Sequence, residues 1–312
     1  MATSLYPAEC VLDLPNGWVN AYRFEVALMR CGDTLGTAAS TVVIRIPAGC
    51  KMLIEVVVRL LSFCNQVIAT TRRLRLEFQG GDHGVMGYLN RIGFFDHLSP
   101  LAEVAPHRPF FSSALVHRGG NQGLVEIERF SRANAVDNSL VPRLAQAVER
   151  GCANRADAKA IGAATFSIFG ELVGNVFEHS DSPLDAYAAL QTYPAGNRVS
   201  VAVSDSGAGI MQTLRPALSA KGDPMARLGE IDLLVEIFRK GISRLDQPER
   251  GQGLVASARH AIRFKADLDV RLLRQRVLLK PANDEYRPNM AYSQDDLPLL
   301  WGTHIAFSLN LG

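Results

Sequence analysis

Residues 169–180 read "FGELVGNVFEHS", and this stretch decides how the second half of the chain is interpreted. Its polar residues Glu171, Asn175 and His179 are spaced four residues apart, so in a helix all three project from one face. The Leu, Val and Phe residues between them supply an apolar side that could pack on a sheet. Such a polar line is either the hydrated side of an amphipathic helix or the wall of a site, and the stretch alone favours the hydrated side.

Size and charge limit the classes of protein to consider. The chain has 312 residues, enough for two domains, and 47% of them are hydrophobic, so a packed core is expected. The formal net charge is +2 at pH 7. A charge so close to balance argues against a broad surface for nucleic acid or for an anionic membrane. We therefore expect neither nucleic acid nor a membrane among the partners.

Cysteine usage and apolar runs indicate the compartment. The five cysteines are scattered and form no C-x-x-C pair, which predicts buried free thiols in a reducing cytosol and not a disulfide framework. The N-terminus has no apolar run behind basic residues, which disfavours a signal peptide. The most apolar run, residues 52–63, is interrupted by Glu55 and Arg59 and is too short to span a bilayer. These features predict a soluble, cytoplasmic protein.

The N-terminal part is predicted to form a small α/β unit over residues 41–110. A β-branched strand, a helix, a period-two strand and a second helix follow one another there. In that order they are residues 41–47, 52–68, 72–79 and 84–98. Residues 1–40 stay unassigned, although residues 21–29 alternate enough to predict a strand.

The C-terminal part is predicted to be a second domain over residues 124–312, with residues 111–123 as a linker at the end of a stretch rich in Pro, Gly, His and Ser. Strands and helices are mixed along this domain, so the fold class is α+β. The predicted strands are residues 123–131, 198–205, 267–273, 275–281 and 302–311, and the predicted helices are Asn138 or Ser139 to Gly151, Ala156 to about His179, and residues 255–264.

A second polar motif follows the strand that ends at Asp205. The sequence there is "DSGAG", with Gly207 and Gly209 two residues apart. A carboxylate at a strand end can accept a hydrogen bond from an exocyclic amine, and glycines allow the backbone to approach a flat ring or a phosphate. The alternative is an ordinary turn whose glycines adopt left-handed φ.

A third motif, "GQGL", lies at residues 251–254 just before a predicted helix. Backbone N–H groups at a helix N-terminus bind phosphate through their unsatisfied donors and the helix dipole. A single G-x-G of this kind is also compatible with a simple turn.

In this order, the three motifs resemble those of the GHKL ATPase superfamily, which includes sensor histidine kinases, gyrase-type ATPases and the anti-sigma-factor serine kinases. "ELVGNVFEH" is similar to the asparagine box of that family, "DSGAG" to its first glycine box and "GQGL" to its second. The terminal "GTHIAFSLNL" resembles the last strand of the fold, where a Gly-Thr pair precedes an alternating strand. The resemblance covers about Leu124–Leu311.

The resemblance implies a Bergerat fold for this domain, an α/β sandwich whose mixed sheet is covered by helices on one face. It implies that ATP lies between the helices and a lid and that Asn175 ligates Mg²⁺. Glu171 would then be the general base or the carboxylate that orients water. His179, one helical turn beyond Asn175, would touch the nucleotide or close the site, and a structural role for it is an equal alternative.

The resemblance also assigns the glycine boxes. Asp205 would accept a hydrogen bond from the adenine amine. The nucleotide-binding residues would further include Gly207, Gly209, Gly251, Gly253 and Leu254.

A lid over the nucleotide is expected between Ile210 and Arg250. The resemblance implies that Lys240, Arg244 or Arg250 could reach the γ-phosphate, the alternative being solvated charges on a loop.

Other features indicate the branch of the family. His97 in "FFDHLSPL" is not expected to accept a phosphoryl group, because the acidic residue precedes it and prolines follow. "NVFEHS" looks closer to the anti-sigma serine kinases. The N-terminal unit is similar in outline to a STAS domain, but Gly81, Asp82 and His83 stand where a STAS phospho-acceptor would follow the strand. Phosphorylation of this unit by its own chain is therefore not expected.

Three hypotheses for function follow. The first is a Mg-ATP-binding regulatory protein that binds and hydrolyses ATP, closes its lid and thereby controls a protein partner. The second is a serine/threonine protein kinase of the anti-sigma-factor type. The third is a nucleotide-gated interaction module without turnover. The expected partner is a regulatory protein, and a homodimer formed through the N-terminal unit is compatible with the sequence.

Overall fold

The computed structural model describes residues 9–36, 39–131, 138–179, 182–240 and 252–311, with residues 175–179, 252–255 and 257 described by their backbone alone. The strands are β1 (Glu9–Asp13), β2 (Gly17–Val19), β3 (Thr41–Ile46), β4 (Cys50–Met52), β5 (Arg73–Phe78), β6 (Glu103–Ala105), β7 (Leu124–Phe130), β8 (Ala186–Tyr193), β9 (Arg198–Ser204), β10 (Asp267–Arg271), β11 (Arg276–Ala282), β12 (Glu285–Pro288) and β13 (His304–Asn310). The helices are α1 (Ala21–Cys31), α2 (Ile54–Ala69), α3 (Val85–Ile92), α4 (Phe94–His97), α5 (Ser113–Val116), α6 (Leu140–Gly151), α7 (Ala158–His179), α8 (Ile210–Ala220), α9 (Glu230–Lys240) and α10 (Gln252–Arg263), and short 3₁₀ turns lie at Pro194–Gly196, Pro224–Arg227 and Met290–Tyr292. The α+β class is confirmed.

The N-terminal unit contains a parallel sheet in the order β1-β3-β5-β6. Because β1 pairs with β3, the chain from Glu9 onward belongs to this unit. The strand predicted over residues 21–29 is wrong, since these residues lie in α1. The Asn20 side chain accepts the Arg23 N–H at 3.0 Å as a helix cap, and Phe24 and Leu28 are buried at helical spacing.

Two further segments of this unit differ from their sequence patterns. The helix predicted over residues 84–98 is divided into α3 and α4 at Gly93, whose φ of 89° is left-handed. Residues 99–110 pack on the unit as predicted, since β6 pairs with β5 and Arg108 donates hydrogen bonds to four backbone carbonyls. The segment predicted as a linker, residues 111–123, also contacts the unit: the Ser113 N–H donates to Asn90 Oδ1 at 3.1 Å and Arg91 donates to the His117 carbonyl at 2.9 Å.

The second sheet has seven described strands in the order β12-β11-β10-β13-β9-β8-β7. The mixed sheet that was expected is wrong, because all neighbouring pairs of these strands run antiparallel. The sheet has no parallel pair among its described strands because of the position of β13. Strands β9 and β10 run in the same direction and would form a parallel pair if they were neighbours. Strand β13 lies between β9 and β10 and runs antiparallel to both, so these two strands never hydrogen-bond to each other.

Both faces of this sheet are covered, whereas helices on one face were expected. Val199, Val201 and Val203 of β9 belong to a core shared with α6, α7 and α10. Ala202 belongs to a second core on the opposite face, together with α2 of the N-terminal unit. The N-terminal unit therefore supplies the layer that buries the other side of the sheet. No described helix is long and apolar enough to cross a membrane.

A polar stripe on α2 joins the two units. The buried Arg59 donates to Glu25 of α1 at 2.8 Å and to Asp269 of β10 at 3.0 Å. Arg271 also binds Glu25, and Arg276 binds Asp269. Buried charges need such pairing, because an unpaired ion in the interior is strongly destabilising. The network therefore fixes how α2 lies across the sheet.

Candidate functional site

Asp205 is held at the point where two central strands meet. In the sheet register, Ser204 at the end of β9 lies opposite His304 at the start of β13, so the next pair is Asp205 and Thr303. The backbone N–H of Asp205 donates to the Thr303 carbonyl at 3.1 Å. In return, the Thr303 N–H donates to Asp205 Oδ2 at 3.0 Å, and the Gly207 N–H donates to Oδ1 at 2.7 Å. Both carboxylate oxygens are therefore fixed by backbone donors.

Strand alternation indicates which face of the sheet Asp205 shares. Val199, Val201 and Val203 point into the core on the α7 side, and side chains on one face of a strand recur every second residue. Asp205 continues this series. The neighbouring Ser206 points the other way, towards α2. Asp205 is thus in phase with the face covered by α7 and α10.

The environment of Asp205 changes its acidity. Burial raises the pKa of this carboxyl to about 6, because a carboxylate loses hydration there, although the hydrogen bonds from Gly207 and Thr303 partly oppose the shift. The residue nevertheless remains partly exposed. Each carboxylate oxygen has lone pairs beyond the one used by its backbone donor, so the group can accept a further hydrogen bond from a ligand.

Two glycines close to Asp205 are required by their conformation and surroundings. Gly302 has φ of 91°, and a Cβ there would overlap the Asp205 carbonyl oxygen and lie 2.8 Å from its Oδ1. Gly209, with φ of 83°, precedes α8, and its added Cβ would collide with Leu273 and lie 3.2 Å from the Gly302 oxygen. Gly209, the second glycine of the first box, is thus explained by close packing of the loop against Leu273 and Gly302.

Thr303 adds a side-chain contact to the same loop. Its Oγ1 accepts the backbone N–H of Ile210 at 3.1 Å, at the start of α8. Thr303 therefore binds both the Asp205 carboxylate and the helix that follows "DSGAG". It was not predicted as a site residue, although the resemblance had drawn attention to the Gly-Thr pair before the last strand.

The helix that carries the opening motif packs as predicted. Phe169, Leu172 and Val173 are buried, and the Phe169 ring meets the Phe307 ring of β13 edge-to-face at 6.0 Å between centroids. Glu171 is partly exposed at the border of this apolar side. A Cβ built on Gly174 would meet no described atom within 4 Å, so the helix surface next to Glu171 is open in the described part of the chain.

The other predicted residues of this helix are known only by their backbone. Asn175 and His179 continue α7, and their side chains lie outside the described residues.

The second glycine box lies at the start of α10. Gly251 is outside the described residues, whereas Gln252 begins the helix and Gly253 and Leu254 continue its backbone. Helix α10 packs against α7. The asparagine-box helix and the helix that begins at the second glycine box are therefore neighbours on the face of the sheet that Asp205 shares.

The expected lid segment is partly helical. It contains α8 and α9, and Lys240 is the last residue of α9. Lys240 Nζ binds Glu236 at 2.8 Å and lies in a cleft of about 410 Å³ that Met225 and Pro288 also line. Pro288 belongs to β12, the edge strand that is four strands away from β9, so the structure does not bring Lys240 to Asp205. Arg244 and Arg250 lie outside the described residues, and their phosphate contacts stay predictions.

A buried glutamine from the N-terminal unit reaches the same loop. Gln66 of α2 donates from Nε2 to Ser206 Oγ and to the Trp301 carbonyl, both at 2.9 Å, and its Oε1 accepts the Trp301 N–H at 2.9 Å. The sequence pattern did not predict this contact. The available signal was that Gln66 is one of several polar residues in a helix that is mostly apolar.

No group of three or more His, Cys, Asp and Glu side chains that could hold a metal ion is found in the described residues. Comparisons with models of protein families, with curated proteins and with solved structures found no match to this chain.

Proposed function

We propose that the chain is a Mg-ATP-binding regulatory protein of the histidine kinase-like ATPase type, which binds and hydrolyses ATP to control a protein partner. The observation that carries the proposal is the Asp205 carboxylate. It is partly exposed, it is oriented by the N–H groups of Gly207 and Thr303, and it shares a sheet face with α7 and α10. Such an oriented acceptor in a partly buried loop suits the exocyclic amine of adenine.

Residues from the Asp205 loop, from α10 and from α7 would bind the nucleotide together. Asp205 would select the base, while the N–H groups at the start of α10 would face the phosphates. Glu171 would orient the water that attacks the γ-phosphate, because a carboxylate can accept a proton from that water. Bound Mg-ATP would supply a phosphoryl group whose charge the metal neutralises.

The amide of Asn175 on α7 is suited to magnesium by its residue type. Mg²⁺ prefers oxygen ligands and keeps several waters, and in nucleotide sites the phosphates provide most of the remaining ligands. One amide oxygen at Asn175 is therefore a sufficient protein ligand. As part of the proposal, we assign the role of magnesium ligand to Asn175. His179, one helical turn further along α7, would touch the nucleotide.

The fold extends the proposal to the two finer architectures. The proposal keeps a Bergerat-type architecture for the second domain because α6, α7 and α10 share one face of its sheet, although the described strands of that sheet are all antiparallel. It keeps a STAS-like architecture for the parallel sheet of the N-terminal unit. In this proposal the N-terminal unit recognises the partner from the other side of the sheet, and the segment over residues 210–250 closes on the nucleotide.

Isothermal titration of the full chain with Mg-ATP tests the proposal. We expect binding by the wild type and a loss of at least about tenfold in affinity for Asp205→Asn, because an amide has one acceptor oxygen where the carboxylate has two. Asp284→Asn is the matched control, since Asp284 is exposed in a turn where asparagine is also tolerated. No binding by the wild type, or equal affinities for both variants, contradicts the proposal.

A further inference from the structure

Cys10 and Cys31 bring their sulfur atoms to 2.7 Å from each other, although they are 21 positions apart in the sequence. Cys10 lies in β1 and pairs with Val42 of β3. Cys31 is the last residue of α1, where the N–H of the cap residue Gly32 donates to the Leu28 carbonyl at 3.0 Å. Both thiols are held by regular elements, so their approach is a property of the fold.

Polar groups surround the two sulfur atoms. The Thr34 hydroxyl lies 3.4 Å from Cys31 Sγ and 3.7 Å from Cys10 Sγ. The Arg72 guanidinium is anchored nearby by the Leu35 carbonyl at 3.2 Å. Either sulfur can donate in the contact between the two thiols, and Cys10 Sγ also donates to the Cys31 carbonyl at 3.3 Å. The hydrogen bond with Cys31 lowers the pKa of Cys10 to about 6 against the opposing effect of burial, and Thr34 and Arg72 lower it further. A thiolate stabilised in this way is the nucleophilic form of cysteine.

The other three cysteines have a different environment. Cys50, Cys64 and Cys152 are buried free thiols, and burial raises the pKa of each. They therefore stay protonated at neutral pH and react slowly with electrophiles.

We propose that Cys10 and Cys31 form a hydroperoxide-reactive thiol pair that closes reversibly to a disulfide. The Cys10 thiolate attacks the terminal peroxide oxygen, the O–O bond breaks, and Cys10 becomes a sulfenic acid while the alkoxide takes up a proton as an alcohol. The Cys31 sulfur then attacks Cys10 Sγ. The S–S bond forms, the S–O bond breaks, and hydroxide leaves with the Cys31 proton as water. In total, two thiols and one hydroperoxide give one disulfide, one alcohol and one water.

Access and geometry are compatible with this chemistry. Within the described part of the chain Cys31 is partly exposed, whereas Cys10 beside it is buried with 8% of its surface exposed, so hydrogen peroxide, the smallest hydroperoxide, is the oxidant whose size suits the pair. Closing the sulfur distance from 2.7 Å to a bond of about 2.0 Å requires only a small movement. An excess of a dithiol reverses the bond by thiol–disulfide exchange.

The test uses the full native chain, reduced, freed of reductant and treated with a stoichiometric amount of hydrogen peroxide. Free thiols are then alkylated under denaturing conditions, and peptides are mapped without reduction. We expect a Cys10–Cys31 cross-linked peptide that a dithiol removes, with Cys50, Cys64 and Cys152 alkylated in the same sample as internal controls. Absence of this cross-link, or equal oxidation of all five cysteines, overturns the proposal.

A variant tests the order of the two steps. Cys31→Ser removes the second sulfur, so Cys10 should remain as a sulfenic acid and be labelled by dimedone several-fold more than in the wild type. Equal labelling of wild type and variant contradicts the proposed steps. If the variant does not fold, the wild-type cross-link and its reversal still decide the proposal.

Discussion

Gln66 and Ser206 join the N-terminal unit to the loop of Asp205: Gln66 Nε2 donates to Ser206 Oγ at 2.9 Å from the opposite face of the sheet. The same side chain binds both the N–H and the carbonyl of Trp301. Trp301 precedes Gly302 and Thr303, which contact Asp205 directly. One residue of α2 therefore supports both chain segments that meet at the candidate site.

Replacement of Gln66 by leucine should destabilise the chain. Gln66→Leu takes away the partner of the Trp301 N–H and of the Ser206 hydroxyl, and each group left unpaired costs about 1–3 kcal/mol. The Trp301 carbonyl keeps His304 Nε2 as a partner at 3.1 Å. We expect the free energy of unfolding in urea to fall by about 2–4 kcal/mol. Gln79→Leu is the control, because the exposed Gln79 side chain should tolerate the same change within about 0.5 kcal/mol. Equal stabilities of the two variants would show that the Gln66 contacts contribute nothing.

A methyl group at Gly302 should displace the Asp205 loop. Gly302→Ala combines a left-handed φ of 91° with overlap against the Asp205 backbone, and we expect a loss of about 3 kcal/mol or more in the free energy of unfolding. Gly32→Ala is a matched control, since Gly32 has φ of 90° but no described atom within 4 Å of an added Cβ. It should lose only the conformational part, about 1 kcal/mol. Similar losses for both alanines would indicate that the loop relaxes around the methyl group.

The buried charge network predicts a large effect of one arginine. Arg59→Met leaves Glu25 and Asp269 with one guanidinium partner each, so the free energy of unfolding should fall by about 3–5 kcal/mol. Arg45→Met is the control, because Arg45 forms a half-exposed pair with Glu77 at 3.3 Å that contributes about 0–1 kcal/mol. Urea unfolding of both variants measures the difference. A loss below about 1 kcal/mol for Arg59→Met would mean that the carboxylates are rehydrated.

The helices and strands with the most regular apolar period are those that the sequence predicts best. Segments with a long, regular apolar period, such as α2, α6, β9 and β13, were predicted almost to their ends, because the period itself determines the burial of each side chain. Residues 21–29 were misread since their apolar residues fit two periods. The cap signal of Asn20 before them could have decided for a helix.

The candidate site was predictable only in part, because some of its contacts join residues that are far apart in the sequence. Asp205 could be recognised because its glycines are close in sequence. Thr303 and Gln66 reach it through strand register and through packing between units, 98 and 140 positions away from their partners Asp205 and Ser206. Such contacts depend on tertiary structure and leave no local pattern. The antiparallel sheet is another case, since the insertion of β13 between β9 and β10 is not encoded near either strand.

Asp205 should make stability depend on pH in an identifiable window. Its pKa is raised from 3.8 to about 6 on folding, so between these values the folded chain keeps a proton that the unfolded chain has released. The contribution of Asp205 to stability is therefore complete below pH 3.8 and is lost as the pH rises through about 6. Urea unfolding of the wild type and of Asp205→Asn across this pH range measures the contribution. The free energy of unfolding of the asparagine variant should lack this change with pH, because asparagine does not titrate. Parallel pH profiles would exclude a raised pKa at Asp205.

Substitution of Glu171 should lower the rate of ATP hydrolysis without weakening the binding of Mg-ATP. Under the proposed function, Glu171→Gln removes the group that orients water but keeps the size of the side chain, so ATP hydrolysis should fall about 10²–10⁴-fold. The affinity for Mg-ATP should stay within about threefold of the wild type, because Asp205 and the phosphate-facing N–H groups are intact. Glu285→Gln, an exposed residue of β12, is the control and should hydrolyse ATP at the wild-type rate. Phosphate release is the measurement, and unchanged hydrolysis by Glu171→Gln would remove Glu171 from the reaction.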